Sequence, residues 1–180
     1  MSEPRKCPRI FVSHRRVDGA VAESIAYIAC KSNFEYWLDI HDPNLLKLGK
    51  KAHLTEMQRK WLTAGIIEMA LINCTHVLTV MTTNASGSDW IPYEYGRITD
   101  IPMKISRAGS WLDPVYFKAN IPDYMLLGII TQSESEIKNW LSEEMLSWKS
   151  TYGLSENMCC CKWGNLCRQN YQIPIIVSKK

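Results

Sequence analysis

An apolar and β-branched run, His76-Val77-Leu78-Thr79-Val80-Met81, has the length and composition of a strand buried on both faces of a parallel sheet. Turn-forming residues follow it, from Thr82 to Ser88. Asp89 is then the expected N-cap of a helix running from Trp90 to Arg97, because that choice puts Pro92 in the first turn, where its missing N–H costs little. Trp90 and Glu94 lie one turn apart on that helix, on a face expected to be exposed. Nearer the start, Arg9-Ile10-Phe11-Val12-Ser13 reads as a strand and residues 14–19 as a loop. Asp18 is the expected cap of a helix from Gly19 to about Lys31, with Val21, Ile25, Ile28 and Ala29 inward and Glu23 and Ser24 outward.

The alternation in Phe34 to Ile40 predicts a second strand, ending in Asp39, His41 and Asp42. Residues 43–53, with Lys47, Lys50 and Lys51, read as a long exposed connection. From Leu54 to Asn73, Leu62, Ile66, Met69 and Ala70 recur at helical spacing. Further on, a short strand is expected at Ile101–Ile105, and Val115-Tyr116-Phe117 is an unassigned apolar piece. Tyr124–Thr131 reads as the last strand. Ser133 and Glu136 form a capping box for a helix carrying Ile137, Trp140, Leu141, Met145 and Trp148, closed by Gly153. This βαβαβα order predicts one α/β domain over residues 1–153, a flavodoxin-like doubly wound fold with a mainly parallel sheet. Residues 154–180 form a Cys-rich appendage with an edge strand expected at Ile173–Val177.

With 46% hydrophobic residues in 180, the chain can bury one good core. Its net charge of +3 is scattered, which argues against a nucleic-acid face. No apolar run suits a signal peptide or a membrane span, so a cytoplasmic protein without membrane association is expected. Seven cysteines without an even spacing pattern read as free thiols. Cys159-Cys160-Cys161 and Cys167 make a poor tetrahedral set, and no metal is expected.

Ligands of doubly wound sheets sit at the carboxyl ends of the strands. Ser13 to Asp18, Asp39 to Asp42 and Thr82 to Glu94 all reach that edge. An indole beside a carboxylate there suits a flat ligand that carries or develops positive charge. The chain has no G-x-G-x-x-G, which argues against a hydride-transfer dehydrogenase.

Ile10-Phe11-Val12-Ser13-His14 with Asp18, then Tyr36-Trp37-Leu38-Asp39, then Ser88-Asp89-Trp90-Ile91-Pro92-Tyr93-Glu94, span about the first hundred residues. In these motifs the chain resembles bacterial Toll/interleukin-1 receptor (TIR) domain proteins of the stand-alone, NAD-cleaving type found in anti-phage defence. The resemblance implies an NAD+ glycohydrolase or ADP-ribosyl cyclase, releasing nicotinamide and either ADP-ribose or a cyclic ADP-ribose isomer that serves as an antiviral, innate-immune signal. Glu94 is the implied catalytic group. Ser13, His14, Arg15, Arg16, Asp39, Ser88, Trp90 and Tyr93 are the candidate ligand contacts, with the arginines taking the pyrophosphate. NAD is the substrate, so no cofactor is implied. The implied partners are further copies of the chain, as a homo-oligomer or filament when activated, and a separate effector that reads the product. The alternative is a non-catalytic TIR-like interaction module that signals by self-assembly, with Trp90 and Glu94 as surface or packing residues.

Cleaving the nicotinamide–ribose bond leaves an oxocarbenium-like sugar, which one well-placed carboxylate can stabilise. Nicotinamide is already a good leaving group, so a second carboxyl acting as general acid is not required.

Overall fold

Arg9–Ser13 (β1) and His76–Met81 (β3) pair in parallel, with Ser13 beside Thr79, and form the centre of a five-stranded sheet. The structure is a computed structural model and describes residues 7–99, 107–115 and 121–155. Glu35–Trp37 (β2) adds to the outer side of β1, while Ala108–Leu112 (β4) and Ile129–Thr131 (β5) follow β3, giving the order β2-β1-β3-β4-β5 with every pair parallel. That order is compatible with a flavodoxin-like arrangement. It places a topological switch point between the carboxyl ends of β1 and β3.

Alternation along the strands separates two cores. Ile10, Val12, Leu78, Val80 and Trp111 face one side, where they pack against Gly19–Lys31 (α1) and Glu134–Tyr152 (α5). On the other side, Phe11, Val77 and Ala108 meet Glu56–Ile72 (α3) and Trp90–Thr99 (α4) through Leu71, Tyr95 and Ile98. At the carboxyl end, Met81, Ile91, Leu112 and Met125 close a third cluster.

Several local expectations are corrected. Residues 43–53 are not simply a loop: Asp42 accepts hydrogen bonds from the Asn44 and Leu45 amides, Pro43 occupies the first turn, and Pro43–Gly49 is a helix (α2). Thr55 and Gln58 form a reciprocal capping box, so α3 begins at Glu56 rather than Leu54. On α3 the inward residues include Ala70 and Leu71, while Leu62 and Met69 point outward. Ser24 is buried between α1 and its neighbours, donating to the Ala20 carbonyl. The second strand is only three residues long because residues 39–41 turn as a 3-10 helix. Likewise Asp123–Leu127 is a 3-10 helix that leaves Ile129–Thr131 as strand. At the start of α5, Ser133 caps the Glu136 amide, but the Glu136 carboxylate accepts from the Gln132 amide instead of closing the box on Ser133. Gly153 ends α5 with a left-handed φ of 60°.

Cys7 and Cys74 are buried thiols, whereas Cys30 is disulfide-bonded, against the expectation of free cysteines throughout. The expected strands at Ile101–Ile105 and Ile173–Val177, residues 116 and 117, and Cys159–Cys161 with Cys167 lie outside the described residues. Among the described residues, no helix is long and apolar enough to cross a membrane and no His, Cys, Asp and Glu cluster suits a metal ion.

Candidate active site

Ser13, the last residue of β1, is buried because β3 covers one side of it and α4 lies across that face of the sheet. Its Oγ donates a 2.5 Å hydrogen bond to Oε2 of Glu94. Glu94 is 6% exposed, not on an open helix face as expected. Burial pushes its carboxyl up to about 7, the Ser13 bond pulls in the opposite direction, and the negative charge of Asp39 adds to the rise. The carboxyl is therefore poised between its two protonation states near neutral pH. One strand over, the Thr79 hydroxyl is buried and without a hydrogen-bond partner among the described residues.

Asp39 begins the turn after β2, and its Oδ1 accepts from the Ile40 amide at 2.7 Å. His14 lies beside it, with Nε2 3.3 Å from Asp39 Oδ1, close enough for electrostatic attraction but without hydrogen-bond geometry. Nδ1 of His14 is 3.2 Å from the Val12 carbonyl. When Nδ1 carries the proton it donates there, which orients the ring toward Asp39. Ser13, His14, Asp39 and Glu94 thus meet at the switch point.

Arg15 and Arg16 are exposed on the turn leading into α1. Arg16 lines a cavity of about 400 Å³ with Asp39, Leu45, Leu48, Arg59 and Thr63, between that turn, α2 and α3. Arg59 is held there by donating from its two terminal guanidinium nitrogens to the Lys51 and Leu54 carbonyls, at 3.1 and 2.9 Å, which leaves Arg16 as the exposed cation on the cavity wall near Asp39.

Trp90 and Tyr93 do not join the Ser13–Glu94 pair. Trp90 and Glu94 are separated by about 40° around the helix, and the edge of the buried face falls between them. Trp90 is 43% and Tyr93 47% exposed, and they pack edge-to-face in a groove against Ala64, Gly65 and Glu68 of α3. Tyr93 donates to Glu68 at 2.6 Å, and Arg97 pairs with the same carboxylate. Ser88, an expected ligand contact, is the capping residue of α4: its Oγ accepts from the Ile91 amide at 3.3 Å, the role expected of Asp89.

Asp18 has a role that its sequence position conceals. Its carboxylate makes no cap for α1 and instead accepts from Thr82 Oγ1 at 2.9 Å and Asn84 Nδ2 at 2.8 Å. The loop after β1, which carries His14, is thereby tied to the loop after β3, which leads to Glu94. Thr82 and Asn84 carry the only sequence signal, and it reads simply as turn chemistry. In comparison with known proteins, the chain matches no family model and no curated protein.

Proposed function

We propose that the chain is a TIR-like NAD+ glycohydrolase or ADP-ribosyl cyclase, with a flavodoxin-like, TIR-like fold and Glu94 as its catalytic group. The observation that carries this reading is the buried carboxyl of Glu94 at the β1/β3 switch point, tuned to about 7 and held by Ser13. As the nicotinamide–ribose bond breaks, its electron pair leaves with the ring nitrogen and neutralises the pyridinium. The ribose C1′ becomes positive beside Glu94. An ionised Glu94 stabilises that charge strongly in a site shielded from water, and its second oxygen accepts from a ribose hydroxyl. Attack on C1′ by water yields ADP-ribose, and attack by a group of the same ADP-ribosyl unit yields a cyclic isomer. Arg15 and Arg16, exposed on the turn into α1, are the assigned partners of the pyrophosphate, while His14 and Asp39 flank the ribose. Trp90 and Tyr93, lying in the α3/α4 groove, are assigned no direct ligand contact in this form of the protein. Assembly of several copies and a separate effector that reads the product complete the proposal for a cytoplasmic antiviral defence protein.

A second reading, a non-catalytic TIR-like module, draws support from the low exposure of Glu94. Incubating the purified full chain with NAD at high protein concentration, then chromatographing for nicotinamide, separates the two. Nicotinamide appearing one-for-one with NAD consumed supports the enzyme, and mass spectrometry identifies the second product. Intact NAD at every protein concentration favours the module.

A further inference from the structure

Three buried hydroxyls form a row across the sheet. Ser13 of β1 pairs in register with Thr79 of β3, and Thr79 with Ser110 of β4. All three lie on the face that carries Phe11, Val77 and Ala108, each two residues earlier on its strand, and that α3 and α4 cover. Their bonding differs. Ser13 Oγ donates to Glu94. Burial raises the Tyr95 phenol to about 12 and the Ser110 hydroxyl pulls it the other way, which places Ser110 beside Tyr95, though without hydrogen-bond geometry. Thr79 Oγ1 has no hydrogen-bond partner among the described residues. A buried hydroxyl in that state is destabilising, and a valine would fill the same space without the penalty. Thr79 therefore calls for a role outside this form of the protein.

Glu94 supplies one. Covered as it is, its carboxyl meets a ribose only by turning outward, and that movement breaks the bond to Ser13. Ser13 is itself too deeply buried to turn to bulk water. A replacement stands one strand over. Neighbouring strands lie about 4.8 Å apart, and hydroxyls turned toward each other from register neighbours close that gap to hydrogen-bond distance. Three staggered χ1 wells are open to a serine, so one rotation carries its Oγ from the first partner to the second. We propose that Ser13 is a two-position switch: it donates to Glu94 in the form described and exchanges to Thr79 Oγ1 when Glu94 turns toward the ligand, with Thr79 as the positioning residue that permits the turn. The consequence for catalysis rests on the reading of Glu94 given above. The exchange itself does not, and is read from stability alone.

The test is a mutant cycle on the full chain, followed by thermal melts. In the parent, Glu94 holds Ser13 and Thr79 is idle, so Thr79→Val is expected to leave the melting temperature equal to the parent's or above it. Glu94→Met removes the acceptor while keeping the bulk, which leaves Ser13 to Thr79. In that background Thr79→Val is expected to lower the melting temperature by about 2–4 °C, the shift that one ordinary hydrogen bond makes in a domain of this size. Adding Ser13→Ala abolishes the reversal, since no hydroxyl is left to exchange. Glu94→Leu repeats the cycle should Glu94→Met not fold. With saturating NAD at pH 8, Thr79→Val is expected to release nicotinamide several-fold more slowly than the parent while being no less stable, a combination that a purely structural residue does not give. An equal effect of Thr79→Val in both backgrounds, or a reversal that survives Ser13→Ala, overturns the exchange. A parent that cleaves NAD beside a Thr79→Val protein of equal rate overturns the positioning role. A parent that leaves NAD intact contradicts the catalytic reading of Glu94, and the melts then decide the exchange by themselves.

Discussion

Ser13 and Glu94, 81 residues apart in the chain, share a 2.5 Å hydrogen bond from Oγ to Oε2 at the point where the sheet reverses its direction of growth. The bond favours the charged carboxylate against a burial that disfavours it. Nicotinamide release is expected to rise with pH through an acid limb near pH 7, as Glu94 ionises. Removing the hydroxyl in Ser13→Ala withdraws the group that lowers the carboxyl, so the limb moves upward, by roughly one pH unit for a hydrogen bond to a charged group. Rate profiles of the two proteins from pH 5 to 9 check this, and an unshifted limb contradicts it.

Folding stability carries the same signature without any substrate. The Glu94 carboxyl is raised from an ordinary 4.5 to about 7, so the folded state holds its proton more tightly than the unfolded state. Its contribution is fully present below pH 4.5 and is lost as pH rises through about 7. Glu94→Gln escapes that loss. Urea denaturation should show the variant gaining on the parent between pH 4.5 and 8, by up to about 2–3 kcal/mol. A constant difference across that range would place Glu94 in a wetter environment than described here.

The Asp18 carboxylate ties two loops together through Thr82 and Asn84. Asp18→Ala leaves both donors without this acceptor and should cost about 2–4 kcal/mol in urea melts. Asp18→Asn keeps one oxygen for Asn84 and presents its amide to the Thr82 hydroxyl, which can accept as well as donate, so its loss should be intermediate. Equal stability of Asp18→Ala and the parent would remove the tie from the account.

Gly128 sits where the sheet meets α4. A Cβ there would lie 2.1 Å from Tyr95 Oη and 2.3 Å from the Ala108 carbonyl oxygen. Gly128→Ala must displace backbone as well as a side chain, and a loss of about 3 kcal/mol or more is expected. A thermal melt matching the parent's would contradict the close packing of β5 against β4.

What could be read beforehand follows from how local each signal is. β1 and β3 stand out because their apolar runs are bounded by turn residues, and both lie where expected. β4 is hidden: Ala108-Gly109-Ser110 is poor in β-branched residues because the Trp140 ring occupies the space where a Gly109 Cβ would project. α2 has a readable start in Asp42-Pro43, outweighed in the sequence by its lysines and Gly49. Periodicity identified α3 as a helix but could not say that Leu62 and Met69 face outward, since both of its faces are apolar. For the candidate site, Ser13, His14 and Asp39 are legible as strand ends at one sheet edge, and Glu94 as a residue of the helix that follows β3 at that edge. The Ser13–Glu94 contact, the burial of Glu94, the Asp18 tie and the separation of Trp90 from Glu94 depend on side-chain packing between distant segments, which spacing along one element does not encode.

The central claim is that the carboxylate of Glu94 stabilises the positive ribose as nicotinamide leaves. The most direct measurement is the rate of nicotinamide release by Glu94→Gln against the parent, at equal concentration and at pH 8, where the parent carboxyl is ionised. The amide keeps the shape and a hydrogen bond to Ser13 but lacks the charge. If that charge supplies about 3–4 kcal/mol in the transition state, the rate falls by roughly a hundred- to a thousandfold with the fold intact. Release within a few-fold of the parent by a folded Glu94→Gln protein would contradict the assignment of Glu94 and, with it, the enzymatic account.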